Sequence, residues 1–172
     1  MAQLKDVIRP LFVTGLQNVH AVEHQALALL KRQVEHLAHY PEIETRLRSH
    51  IDETHDQIGR VEQILEAMGE KHSALKDAAL NFSGNLAVLG HALAADEVIK
   101  NTLANYMFEN FEVASYTGLI VMAEDGGFDG ALGPLRRSLE EERAMAQFVI
   151  DHLPAVTRTF IARRAAGKTA DH

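Results

Sequence analysis

Apolar residues recur every three or four positions along almost the whole chain and nowhere alternate cleanly with polar ones. That period leaves helix packed on helix as the fold class, since a sheet needs a two-residue alternation to bury one face. The punctuation divides the pattern into segments. Pro10 interrupts the first, so a leading turn and then a helix from about Leu11 to Ala38 is expected, with Leu16, Val19, Ala26, Leu27, Leu30, Val34 and Leu37 on its apolar stripe. Tyr40-Pro41 breaks the chain before a second helix, Pro41 to Met68, whose stripe is Ile43, Leu47, Ile51, Ile58, Val61 and Leu65; Gly69 stands at its C-terminal cap. A less regular stretch, Ala74 to Ala94, reads as a long helical crossover. Asp96 then caps a third helix, Glu97 to Ala123, apolar nearly all round and therefore expected at the centre. A glycine-rich loop from Asp125 to Gly133 leads to a fourth helix, Leu135 to Leu153. Pro154 is expected to end it before a short basic helix carrying Arg158, Arg163 and Arg164. Two helical hairpins joined by a long crossover make an all-α, ferritin-like four-helix bundle over residues 1–153, with a C-terminal helix and polar tail over 154–172.

Composition removes several function classes. The 172 residues contain no cysteine, which excludes disulfides, thiolate chemistry and Cys-based metal sites. A net charge of −7 repels phosphate backbones, so no nucleic-acid partner is expected. No apolar run has membrane-spanning length and the first residues lack an apolar signal core, so no membrane association and a cytoplasmic location are expected. No Ser/His/Asp or Cys/His arrangement emerges to suggest a hydrolase. The glycine loop has no preceding strand and no following Lys-Ser/Thr, so it does not cradle phosphate.

The informative residues are carboxylates on apolar stripes. At 100° per residue Glu23 falls in the centre of the first helix's stripe, and Glu142 does the same on the fourth, while Glu140 and Glu141 point elsewhere. Glu109 and Glu112 share one face of the third helix with Asn105 and Tyr116. On the second helix Glu53 lies about 110° from the stripe centre, with His50 and Gln57 closer to the core. A single such carboxylate is ordinarily satisfied by a Tyr, a His or water. Several converging in one core are another matter: each buried carboxylate is destabilising by several kcal/mol unless neutralised, and no Lys or Arg shares those stripes beside them. Metal ions with a preference for oxygen ligands, iron or manganese, would balance them. Glu23 to Glu53 and Glu112 to Glu142 are each 30 residues apart, as expected of two similar hairpins; Glu109 to Glu142 is 33. No Glu-x-x-His occurs; His20-x-x-Glu23 and His50-x-x-Glu53 show the reverse order. His50 therefore reads as an interior histidine or an outer partner of a ligand, His20 as peripheral, and His55, His72 and His172 as surface. Tyr116 is positioned to hydrogen-bond a ligand carboxylate, or is an ordinary buried tyrosine.

The segments Ala21-Val22-Glu23-His24-Gln25-Ala26-Leu27, His50-Ile51-Asp52-Glu53-Thr54 with Gln57-Ile58-Gly59-Arg60-Val61-Glu62, and Phe108-Glu109-Asn110-Phe111-Glu112-Val113-Ala114-Ser115-Tyr116 resemble the bacterial YciE/YciF-type ferritin-like stress proteins. Leu139-Glu140-Glu141-Glu142 extends the resemblance, which covers about Leu4 to Leu153. It implies a rubrerythrin-like bundle, a homodimer, and a dinuclear site of two iron ions per chain, with manganese as the alternative metal. It places the ligands at Glu23, Glu53, Glu109, Glu112 and Glu142, with His50, Gln57 and Tyr116 as outer partners or weak ligands. The implied chemistry is oxidation of ferrous iron or removal of peroxide, with oxygen or peroxide as small-molecule substrate. Two departures weaken the ligand set: Asp56 or Gln57 and Met145 or Ala146 stand where relatives carry His, and Ala146 also replaces an acidic residue. They leave open a metal-poor bundle that acts through helical partners without catalysis, and a manganese catalase-like activity as a third reading.

Overall fold

The computed structural model describes residues 2–70 and 97–168. Four long helices account for nearly all of them: α1 (Ala2–Gln33), α2 (Pro41–Ala67), α3 (Glu97–Gly126) and α4 (Asp129–Ala165), with a 3-10 turn at Val34–His36 between the first two. The expected crossover over 74–94, the Asp96 cap, His72 and His172 lie outside the described residues.

The apolar side chains form two separate clusters. One gathers Phe12, Leu16, Val61, Leu65, Tyr116, Leu119, Leu135 and Leu139. The other gathers Leu30, Val34, Leu37, Leu47, Val98, Met145, Val149 and Val156. Following these residues along each helix sets the topology. α1 and α4 run from the first cluster to the second, while α2 and α3 run back. Each hairpin, α1/α2 and α3/α4, is therefore antiparallel, and the two middle helices are parallel, the arrangement of a ferritin-like bundle. Between the clusters every helix carries buried polar residues: Glu23 on α1, His50, Thr54 and Gln57 on α2, Glu109 and Glu112 on α3, Glu142 on α4. A polar layer thus crosses an otherwise apolar core.

Helix ends follow local chemistry. Pro41 takes the first turn of α2, where its missing N–H is no loss. At Gly69, Gly127 and Gly167 the backbone turns left-handed (φ 81°, 67° and 67°). In each case the next N–H reaches back five residues: Glu70 to Leu65, Phe128 to Ala123 and Lys168 to Arg163.

Several boundaries differ from expectation. α1 begins at Ala2 and continues through Pro10, and its α-helical part closes at Gln33 rather than Ala38. The loop expected over Asp125–Gly133 shrinks to Gly127 and Phe128. Pro154 does not end α4, so the C-terminal segment continues that helix to Ala165. Pro10 and Pro154 are exposed, and core residues flank both: Ile8 and Phe12, Val149 and Val156. Packing on both sides outweighs the roughly 3 kcal/mol a helical proline disfavours. Nor is α3 central. It packs on α1 and α4, but Leu103, Tyr106, Met107, Phe111 and Val121 face solvent.

Candidate metal centre

The polar layer is where the four helices bring their misplaced carboxylates together. Glu23, Glu112 and Glu142 are 1% exposed and Glu109 2%, although each is an ionisable side chain. Their α-helical phase explains this, because each sits on the stripe that continues the apolar cluster above and below it. Glu53 differs. Its side chain is 28% exposed, at the edge of the layer, where it receives hydrogen bonds from His50 Nδ1 (2.8 Å) and Arg46 Nη1 (2.9 Å).

His50 occupies the middle. Its other nitrogen, Nε2, lies 3.2 Å from Glu109 Oε2 and 3.7 Å from Glu142 Oε2. Burial alone would strip the ring of its proton, but the Glu109 charge and the bonds to Glu109 and Glu53 prevail and lift its pKa to about 9. The shift favours the imidazolium form of His50, which bonds Glu53 through Nδ1 and faces Glu109 and Glu142 with Nε2. The same groups hold Glu53 below the usual carboxylate range: burial pushes it up, and His50 and Arg46 pull it further down.

Glu23, Glu112 and Glu142 bind protons tightly. Burial pushes Glu23 to about 8, against the pull of a 2.5 Å hydrogen bond from the Tyr116 hydroxyl. Burial and the charges of Glu23 and Glu109 drive Glu112 well above its ordinary value. Burial and the charges of Glu112 and Glu109 do the same to Glu142. Burial and the neighbouring Glu23 keep Tyr116 a neutral phenol. On the α2 side Gln57 donates to Glu142 Oε1 and to Glu141 Oε2 (3.2 Å), and Arg60 clamps Glu141 with two hydrogen bonds.

Four of the five carboxylates expected to be inward thus share one buried layer, and Glu53 flanks it behind His50. Two features escaped the sequence. His50 is the counter-charge of the cluster, and the Arg60–Glu141 pair closes its side. The signal for the pair lay in the spacing, since Arg60 and Glu141 stand three residues after and one before the inward Gln57 and Glu142.

The set suits a metal. Glu112 Oε1, Glu142 Oε2 and Gln57 Oε1 are buried without a hydrogen-bond partner among the described residues, an unusual condition for interior oxygens. Ligand atoms of His50, Glu109 and Glu142 all lie within 4.8 Å of one another. Carboxylate oxygens with one imidazole form a donor set for iron or manganese. A four-helix bundle of two antiparallel hairpins that gathers carboxylates and a histidine in its core is ferritin-like in fold.

Comparison with known proteins narrows this class. Residues 7–162 match DUF892, a domain of unknown function, and the chain belongs to that family. It is 30% identical over 151 residues to Protein YciF of Escherichia coli (strain K12), covering 80% of this chain and 84% of that protein. Among solved structures, a Xanthomonas campestris pv. campestris protein superposes with a TM-score of 0.76 at 27% identity, covering 92% of this chain and 99% of the other. The structure of the E. coli stress protein YciF superposes with a TM-score of 0.68 at 22% identity, covering 85% and 94%, and supports the fold. YcfI from Rhodopseudomonas palustris gives a TM-score of 0.65 at 25% identity, covering 83% and 92%.

Proposed function

We propose that this chain is a dinuclear metal carboxylate protein, iron being the favoured metal and manganese the alternative. The observation that carries the reading is the buried layer of Glu23, Glu109, Glu112 and Glu142 around His50, with oxygens that have no hydrogen-bond partner among the described residues. One ion would be held by Glu109, Glu142 and His50, the other by Glu23 and Glu112, with Glu53 and Gln57 at the margin. Bound iron would supply electron transfer to oxygen or peroxide, so the reaction class is ferroxidase or peroxidase, with ferrous iron or peroxide as substrate. The chain's own residues set the conditions. Glu112, Glu142, Glu23 and His50 hold protons in the metal-free state, and the carboxylates and His50 Nε2 must release them to bind a cation, which makes affinity rise with pH. The Tyr116 hydroxyl fixes one oxygen of Glu23 and leaves the other to coordinate.

By likeness to the E. coli stress protein YciF we propose a role in a stress response; a cytoplasmic location and a homodimer are proposed with it from the sequence. Among the described residues no helix is long and apolar enough to cross a membrane. The test is metal analysis of protein purified without chelator, followed by anaerobic ferrous reconstitution and exposure to oxygen or peroxide. About two iron ions per chain are expected, falling in Glu109→Gln and Glu142→Gln.

A second reading, a metal-poor bundle acting through helical partners, is favoured by two observations. Protons on the carboxylates and the His50 charge already neutralise much of the layer, and α4 continues past Glu142 with the buried, apolar Met145 and Ala146. Near-zero iron and manganese, with no gain on reconstitution, would decide for it.

A further inference from the structure

A second group of ligand-type residues sits outside the polar layer, on the seam between α1 and α2. His20 and His24 are one turn apart on α1, so both project from one face, roughly 60–100° around the helix from the inward Glu23. Glu62 of the antiparallel α2 meets them: His20 Nε2 lies 3.0 Å from Glu62 Oε1. The two imidazoles touch edge to face with centroids 4.5 Å apart. One ligand atom from each of the three residues lies within 4.8 Å of the others.

Burial is graded across the group. His20 is buried, Glu62 half-buried and His24 exposed, so the cluster is anchored at one end and open to solvent at the other. His20 Nδ1 is buried with no hydrogen-bond partner among the described residues, which leaves the imidazole incompletely satisfied by its neighbours. A tetrahedral ion about 2.1 Å from each ligand atom spaces those atoms roughly 3.4 Å apart. The His20–Glu62 contact, at 3.0 Å, would open by only a few tenths of an ångström to reach that spacing, and His24 and Glu62 reach solvent and can adjust by rotating.

We infer that His20, His24 and Glu62 form a separate binding site for an imidazole-preferring divalent cation, zinc in the first instance, with a fourth position open to water. Two histidines and one carboxylate favour zinc, copper or nickel, whereas the carboxylate-rich layer favours iron or manganese. The chain would then carry two sites of different metal preference, on different faces of the same turn of α1. This site stands or falls independently of the interior one.

The test titrates metal-free full-length protein with zinc alone against a chromophoric competitor, in wild type, His24→Ala, Glu62→Gln and Glu142→Gln. His24 and Glu62 reach solvent, so their variants should fold; unchanged helical circular dichroism checks this. Loss or at least about tenfold weakening of one zinc equivalent is expected in His24→Ala and Glu62→Gln, with that equivalent retained in Glu142→Gln. Zinc-induced changes in the imidazole nitrogen resonances should fall on His20 and His24. Zinc curves for His24→Ala and Glu62→Gln that superimpose on wild type, or shifts confined to other histidines, would overturn the assignment.

Discussion

A proton on Glu23 at neutral pH and a proton on His50 at the same pH come from opposite physical causes, yet act on stability with the same sign. Burial lifts Glu23 from 4.5 to about 8, so the folded chain holds this proton more tightly than the unfolded one. Its contribution is full below about pH 4.5 and is lost as pH rises through about 8. For His50 the neighbouring carboxylates overcome burial and lift the pKa from 6.5 to about 9, so its contribution is lost as pH rises through that higher value. Glu53, held below the usual range, acts oppositely and matters only toward acid. Metal-free protein is therefore expected to melt at progressively lower temperature from pH 5.5 to 8.5, each such group removing up to about 1.4 kcal/mol per pH unit in its window. Thermal unfolding followed by circular dichroism in chelator checks this; a flat or rising midpoint contradicts the assignment of protons. Iron should flatten the slope, since it takes the protons' place. Glu142→Gln separates the two states more sharply. It keeps an oxygen for the Gln57 amide but removes a carboxyl that resists ionisation, so the metal-free midpoint at pH 8 should rise while metal content falls. Equal destabilisation with and without metal would mean that Glu142 acts only as packing.

At the scale of the helices, faces were legible and ends were not. The 3.6-residue period located α2 and the inward carboxylates because a wrong phase would expose a whole apolar stripe. Pro10 and Pro154 misled because proline's local preference is independent of what lies on either side, whereas core residues flank both. His50 was underrated because a projection gives angle without height; only the packed helices set its ring level with Glu109 and Glu142. The turn between α3 and α4 offers a comparison of two adjacent glycines. A Cβ on Gly126 would lie 2.4 Å from Phe128 Cε2 and 3.1 Å from Ile8 Cγ2, and that ring is stacked on Phe12 with centroids 5.0 Å apart. Gly127 has open space around it but a φ of 67°. Gly126→Ala should destabilise by about 1–3 kcal/mol through crowding, and Gly127→Ala by about 1–2 kcal/mol through backbone strain alone. Urea unfolding measures both, and only Gly126→Ala should be relieved by a smaller residue at position 128. On α4, Ala146 is buried one turn beyond Glu142. Ala146→Asp should raise metal occupancy if that turn faces the metal; unchanged stoichiometry in a folded variant would place residue 146 outside the site.

For the whole molecule the outer surface of α1 and α3 is the feature the bundle itself does not explain. α3 is apolar nearly all round because it has two faces to bury, one against α1 and α4 and one against something else. Leu103, Met107 and Phe111 recur every four residues on its outer side, Phe111 47% exposed, and Leu4, Val7 and Leu11 line the adjoining helix. Between them runs a groove of about 270 Å³ bordered by Gly15, Val22, Phe111, Gly118 and Met122. Gly118 leaves open space beside the groove, and exposed apolar side chains along it mark an interaction surface. In the homodimer proposed above, a second copy of the chain would cover this face through a twofold axis, each copy presenting the same surface to the other. Light scattering and sedimentation equilibrium of the wild type should give a dimer. Phe111→Lys puts a charge at the centre of the patch without touching the polar layer. It should weaken association at least about tenfold, equivalent to about 1.4 kcal/mol, while helix content and metal stoichiometry stay unchanged. A dimer of unaltered strength in that variant would move the interface to another face, and a monomeric wild type would leave the α1/α3 groove for a different protein.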